Sequence, residues 1–346
     1  MPRHFENLLI IKPSSLGDIV LALPALAALR KSFPDAKISW LVRPEFAPLL
    51  EKHPDLTCLI IFDRRLLGKA WFHPRASASL LSLIRLLRQK NFDAVIDLQG
   101  LFRTASLAWL TRCKKRFGIA RARELAHFFY TNKVEQDVDC VHLVDYYLKI
   151  IQTITGSETQ ARFTFPQDPS TADSVSSLLE RHDVKPDNYA VFVPGSVHAD
   201  KCWPTQRFAA LADKISPQFN LSIVATGTES EKDIVENIKN LADVPIADLT
   251  GQTSLNELVA LLKTAKLVVT NDTGPGHIAA ALGVPLVMIF GRSNPARVAP
   301  YARPQCVVAV EPAGRGLGPD SSDPKHDINN ITVAQVYQKV CDQLNT

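Results

Sequence analysis

Twice in this sequence an apolar run passes into a short polar loop containing glycine and then into an apolar helical stretch. Near the N-terminus, residues 8–11 lead into Lys12-Pro13-Ser14-Ser15-Leu16-Gly17-Asp18 and the apolar stretch 19–29. Far downstream, residues 267–270 lead into Asn271-Asp272-Thr273-Gly274-Pro275-Gly276-His277. Such a unit leaves backbone N–H groups and a carboxylate at the carboxyl end of a parallel strand, where open α/β sheets bind ligands. The helix start there adds partial positive charge and favours anions such as phosphate. Two such units in one chain predict two αβ domains facing one cleft.

The rest of the chain agrees with that reading. Strand-like runs fall at 8–11, 38–42, 58–62, 94–98 and 116–119, and again at 190–193, 221–225, 267–270, 286–290 and 307–310. Helical patterns lie between them, as in 77–89, where Leu80, Leu81, Leu83, Leu86 and Leu87 recur at helical spacing. This alternation specifies βαβ units and parallel, doubly wound sheets. With 346 residues the chain exceeds one ordinary core, so two domains of roughly 150–180 residues are expected. We place the first at 1–165 and the second at 189–328. Residues 166–188 read as linker, because 166–171 and 184–188 are rich in proline and aspartate. Residues 329–346 read as a closing helix packing back on the first domain.

Composition narrows the class by exclusion. Hydrophobic residues make up 46% and charged residues 21%, which is ordinary for a globular protein, and a net charge of +4 names no partner. The six cysteines lie scattered without a CxxC pair, as expected of reduced thiols in a cytoplasmic protein. No signal-peptide pattern is seen in the first residues. The stretch 19–29 is shorter than the ~20 apolar residues of a membrane span. The expectation is a cytoplasmic protein in peripheral contact with a membrane. There is no GxxxxGK[ST] and no well-placed GxGxxG, so neither a P-loop ATPase nor a typical dehydrogenase is indicated. The histidines lack metal-ligand spacing. Asp137-Val138-Asp139 matches a metal-binding DxD but follows no strand, and reads as surface. No metal and no cofactor are expected.

Asp18 opens the first helix, where aspartate serves either as a cap or as a carboxylate that takes a proton from a substrate hydroxyl. Gly195 and Ser196 follow the first strand of the second half; there a phosphate is able to approach closely, with Lys201 supplying a mobile charge. Asp272, Thr273 and Gly274 form the more specific loop, in which small residues let main-chain amides reach a diphosphate. His277 lies one turn on and is either part of that site or bonded locally within the helix. Basic residues gather in the first half, at Arg64, Arg65, Lys69 and Arg75 and from Arg103 to Arg123. The loop 68–75 interleaves Trp71, Phe72 and His73 with charge, a pattern for a polyanionic substrate or lipid headgroups. No recognition helix or zinc motif supports nucleic acid.

Lys12–Ile19, Asp97-Leu98-Gln99-Gly100, Lys201-Cys202-Trp203-Pro204 and Asn271–His277 together resemble the signatures of the bacterial ADP-heptose:lipopolysaccharide heptosyltransferases, glycosyltransferase family 9. They come in the family's order across most of the chain. The resemblance implies a GT-B fold, with acceptor on the N-terminal Rossmann-like domain and nucleotide sugar on the C-terminal one, and inverting transfer without a metal. It implies that Asp18 is the general base and that Lys201 and Asp272–Gly274 hold the ADP diphosphate, with Gly195, Ser196 and His277 beside them. It places Ser14, Ser15, Lys69, Gln99 and Arg123 with a Kdo-lipid A or inner-core lipopolysaccharide acceptor, at the inner face of the inner membrane. Lys69-Ala70-Trp71-Phe72 and Arg121–Leu125 resemble heptosyltransferase I, whereas Pro194-Gly195 resembles heptosyltransferase II. A transferase using another nucleotide sugar, a nucleotide-sugar epimerase and a non-catalytic sensor are the alternatives.

Overall fold

Residues 5–67, 73–137, 140–166 and 168–345 are described by the computed structural model. The chain divides into two units, 1–167 and 168–346.

In the first unit the β-branched runs form β1 (Asn7–Ile11), β2 (Lys37–Val42), β3 (Cys58–Ile61), β4 (Ala94–Asp97) and β5 (Arg116–Ile119), joined by β6 (Asn132–Val134). Helices α1 (Leu16–Ser32), α2 (Arg64–Leu67), α3 (Pro74–Gln89), α4 (Phe102–Leu110) and α5 (Leu143–Thr155) lie between and after them. All pairings are parallel, in the order β3-β2-β1-β4-β5-β6. β4 is buried throughout and β1 nearly so, as a parallel sheet covered on both faces requires. Helix α1 is apolar all round because it packs against α5 and is buried from Ile19 to Leu29. The strand order reverses between β1 and β4, so a crevice opens at their carboxyl ends.

The second unit repeats this plan. Its strands β7 (Tyr189–Val193), β8 (Ser222–Ala225), β9 (Ile246–Asp248), β10 (Leu267–Asn271), β11 (Leu286–Phe290) and β12 (Val307–Ala309) run in the order β12-β11-β10-β7-β8-β9. Shifting each number by six gives the order of the first sheet, read from the opposite edge. The reversal here lies between β7 and β10. Helices α6 (Pro169–Glu180), α7 (Thr205–Phe219), α8 (Lys232–Leu241), α9 (Leu255–Thr264), α10 (Gly274–Leu282), α11 (Pro295–Val298) and α12 (Val333–Leu344) complete the unit.

Four elements differ from the reading of the sequence. The short strands β6 and β9 were not foreseen. The segment read as linker holds α6: the Asp168 side chain accepts from the Ser170 amide, Pro169 stands in the first turn, and Val175, Leu178 and Leu179 are buried. The closing helix α12 buries Val336 and Val340 in the core of the second unit, where it packs on α7 and β11.

One glycine in the first sheet sets a packing limit. A Cβ at Gly118 in β5 would lie 2.5 Å from the Tyr130 ring, whose hydroxyl donates to Asp97 at 2.8 Å. Gly118→Ala is therefore expected to cost about 1–3 kcal/mol of stability through overpacking. Urea unfolding of the variant checks this, and an unchanged midpoint would show that the ring yields freely.

Candidate active site

In the first unit the site grows from the ends of β1 and β4. The Lys12 side chain is 3% exposed, and its ammonium lies 3.6 Å from Asp18 Oδ1 and donates to the Leu98 carbonyl at 3.3 Å. It also sits 5.6 Å from the centre of the Tyr147 ring on α5. Burial would lower the Lys12 pKa, but Asp18, Tyr147 and Asp97 outweigh it and hold it above its ordinary value. Asp18 itself is about a third exposed (31%). Its Oδ2 accepts from the Ser15 amide at 3.1 Å and the Ser15 hydroxyl at 2.8 Å. Asp18 thus does cap α1, and the same bonds fix its carboxylate in one orientation with Oδ1 toward Lys12.

At the end of β4, Asp97 is fully buried and accepts from the amides of Gln99 and Gly100 as well as from Tyr130. Burial pushes its carboxyl upward, against the pull of these donors. Gly100 takes φ +69°, the left-handed region, and a Cβ there would meet Ile119 at 3.0 Å. Ser14, Ser15, Asp18 and Gln99 are thereby gathered at the reversal of the first sheet. Arg123 is exposed in the loop after β5, on the same sheet edge. Lys69 lies outside the described residues, as do Val138 and Asp139 of the DxD. Asp137 does follow a strand, β6, contrary to the sequence reading, and its side chain forms an ion pair with Lys149.

In the second unit Asn271, fully buried at the end of β10, ties two loops together. Its amide donates to the Pro194 carbonyl at 2.7 Å and its oxygen accepts from the Trp203 amide at 3.1 Å. Trp203 is a core residue whose indole donates to the Ile331 carbonyl at 2.8 Å, so the Trp-Pro corner is an anchor for the Lys201 loop. Lys201 Nζ stands 3.3 Å from Asp272 and 3.9 Å from Asp320. His277 Nε2 faces Asp272 Oδ1 at 3.5 Å, which is the local interaction expected of a histidine one turn into the helix. Thr273 stands just before α10 with its hydroxyl 2.9 Å from that of Thr270, and a Cβ at Gly276 would lie 2.7 Å from Thr270, so α10 starts pressed against β10. The first amides of α10 are left without helical partners.

Burial alone would raise the Asp272 pKa, but His277 and Lys201 hold it down to about 2. A carboxyl lowered from 3.8 stabilises the fold above that value and loses the contribution as pH falls toward 2. The difference corresponds to about 2 kcal/mol. Urea midpoints measured between about pH 4 and 2 should fall more steeply for wild type than for Asp272→Asn. Parallel slopes would remove Asp272 from the acid response.

Several site residues escaped the sequence. Glu231 is pinned by the Thr228 amide at 2.6 Å and hydroxyl at 2.9 Å, and its carboxylate occupies the space where a Cβ of Gly195 would stand. Six buried side-chain polar atoms lack a partner among the described residues. Five follow strand ends: Gln99 Oε1 after β4, Thr226 Oγ1 after β8, Thr250 Oγ1 after β9, His277 Nδ1 after β10 and Ser293 Oγ after β11. Leaving such groups unsatisfied costs roughly 1–3 kcal/mol each. Their concentration at the sheets' carboxyl edges is what a polar ligand site requires.

Comparison with known proteins accords with this geometry. Residues 80–316 match the model of glycosyltransferase family 9 (heptosyltransferase). The chain is 28% identical over 327 residues to the lipopolysaccharide core heptosyltransferase OpsX of Haemophilus influenzae, covering 92% of this chain and 89% of that one. It is 29% identical over 305 residues to lipopolysaccharide heptosyltransferase 1 of Escherichia coli, covering 87% and 92%. The solved structure of E. coli heptosyltransferase WaaC with ADP-2-deoxy-2-fluoro heptose matches with a TM-score of 0.75 at 27% identity, over 97% of this chain and 99% of that one. Two doubly wound units with polar sites at their reversals, in this company, are those of a glycosyltransferase. The chain belongs to glycosyltransferase family 9, the heptosyltransferases.

Proposed function

We propose that this protein transfers heptose from ADP-heptose to the Kdo/inner-core region of lipopolysaccharide, with inversion and without a metal. The observation that carries the reading is the set of unpartnered buried polar atoms at the carboxyl edges of both sheets, with Asp18 at one reversal and Lys201–Asp272 at the other. The donor follows from the WaaC relative, which binds an ADP-heptose analogue. The acceptor reading is supported by relatives named for lipopolysaccharide, one of them for its core.

In this mechanism Asp18 takes the proton of an acceptor hydroxyl whose oxygen attacks the anomeric carbon. The bond to the β-phosphate oxygen breaks and ADP departs on the opposite face. Negative charge on the leaving diphosphate is met by Lys201, Ser196, Thr273 and the amides of Gly195 and α10. A donor aimed at developing charge contributes about 3 kcal/mol, and a positioned base ~10²–10⁴ in rate. Asp272 and His277 hold Lys201 in reach. Ser14, Ser15, Gln99, Arg123 and Lys69 serve the acceptor. The enzyme works at the cytoplasmic face of the inner membrane as a peripheral protein; no described helix is long and apolar enough to cross a membrane.

Mass spectrometry of products from ADP-heptose and Kdo-bearing lipid A tests this, with EDTA present and absent. Acceptor gaining one heptose in EDTA is the expected result. Donor turnover without acceptor would make the protein an epimerase, and ADP binding without transfer a sensor. Product only with another nucleotide sugar would change the donor, and dependence on a divalent cation would overturn the metal-free mechanism.

A further inference from the structure

We propose that an aromatic, cationic face of the first unit, built from α4 and the segment Ala126–Phe129, docks this protein on an anionic phospholipid bilayer. The proposal deepens the peripheral role above and rests on that reading only for its biological purpose. Phe102, Trp109, Leu125 and Phe128 are 52%, 54%, 65% and 71% exposed. They are not scattered. Phe129 packs edge-on against Phe102 at 5.4 Å and against Trp109 at 6.3 Å, and Phe128 lies on His127 at 4.3 Å. The opposite side of α4 buries Thr104, Ala105, Leu107 and Ala108, so Phe102 and Trp109 face outward and remain about half exposed. Large exposed apolar patches mark interaction surfaces, and Trp and Phe favour the bilayer interface.

Charge selects the partner. Residues 102–135 carry Arg103, Arg112, Lys114, Lys115, Arg116, Arg121, Arg123 and Lys133 against only Glu124 and Glu135. Glu135 is itself paired with Arg121 at 3.5 Å. The Lys133 ammonium stands 5.9 Å from the Phe128 ring. Directly after α4 opens a cavity of about 490 Å³ whose charged lining is Arg88, Arg112, Lys114 and Lys115 against the single acid Asp93. Arg116 couples the two features, since its guanidinium donates to the Phe129 carbonyl at 2.6 Å and to the Cys113 carbonyl. Inserting rings bordered by cations with room for a headgroup phosphate match an anionic lipid surface, where one apolar signal needs a basic one beside it. A protein interface would have a core depleted in charge.

Co-sedimentation with vesicles tests the assignment. Wild type should bind mixed phosphatidylcholine–phosphatidylglycerol vesicles, should not bind phosphatidylcholine alone, and should lose binding as salt rises. Lys114→Ala with Lys133→Ala should weaken partitioning roughly 30-fold. Trp109→Ala with Phe128→Ala should weaken it at least about tenfold. Both variants should keep the wild-type melting temperature and should transfer normally to a deacylated, water-soluble acceptor. Failure of wild-type transfer in that last assay would count against the proposed reaction, while the vesicle result would still decide the face. Equal vesicle binding by wild type and variants would overturn the proposal, as would no binding by wild type. Self-association of wild type that the ring variant abolishes, without vesicle binding, would assign the face to a second copy and overturn it equally.

Discussion

Asp18→Asn is expected to lower the transfer rate by at least ~10²-fold while ADP affinity stays within a few-fold. The amide is nearly isosteric, and its oxygen still accepts from Ser15, so the cap on α1 survives. What disappears is a proton acceptor and the anion 3.6 Å from buried Lys12. Lys12 then keeps Tyr147, Asp97 and the Leu98 carbonyl to offset its burial, so some loss of stability will accompany the loss of rate. Thermal melting separates the two, because a folded variant at the assay temperature reports on chemistry alone. ADP binding, assigned to the other unit, is the internal control. A folded variant retaining more than about a tenth of wild-type kcat would end the general-base assignment.

The second large effect is expected at Lys201. On the proposed reading its ammonium meets the diphosphate both in the bound donor and as charge develops on leaving ADP, so Lys201→Ala should weaken ADP binding and also lower kcat. Loss of one aimed donor predicts about 10²–10³ in kcat. The substitution also strips Asp272 of a cation at 3.3 Å, leaving His277 beside an acid held at about 2. Calorimetric titration with ADP and steady-state kinetics on one preparation check the prediction. Unaltered ADP affinity would move Lys201 out of the diphosphate site, and rescue by magnesium would contradict a site that works without a metal.

The strands that the sequence displayed most plainly are those buried on both faces, since a covered parallel strand must be a continuous apolar run, as in Tyr189–Val193 or Leu286–Phe290. The strands it concealed, β6 and β9, are three residues long and sit at sheet edges, and the first two residues of β6 are exposed. Helix α6 was hidden differently. Asp168 and Pro169 were read as linker composition, although an aspartate followed by proline is also how a helix starts. At the site, the motif residues were legible because each loop is contiguous in sequence. Thr226 and Glu231 follow β8, Thr250 follows β9 and Ser293 follows β11, without a shared motif. Only the strand order brings those ends to one edge. Lys12 and Asp97 stood within recognised motifs, but their burial and their part in setting charge needed the packing of α5 and Tyr130.

The repeated strand order bears on inheritance. Each sheet is complete within its own stretch of chain, and each has its own reversal with its own polar loops. Among the described residues no strand of one sheet is borrowed from the other, so the division between the two units is a natural seam. Substitutions that retune one crevice need not disturb the hydrogen-bonded ladder that supports the other. On the proposed reading, preference for the sugar being given and preference for the molecule receiving it are separately heritable traits. A lineage that altered its lipopolysaccharide core would then have room to revise residues 1–167 while leaving the nucleotide-handling half of the protein as it found it.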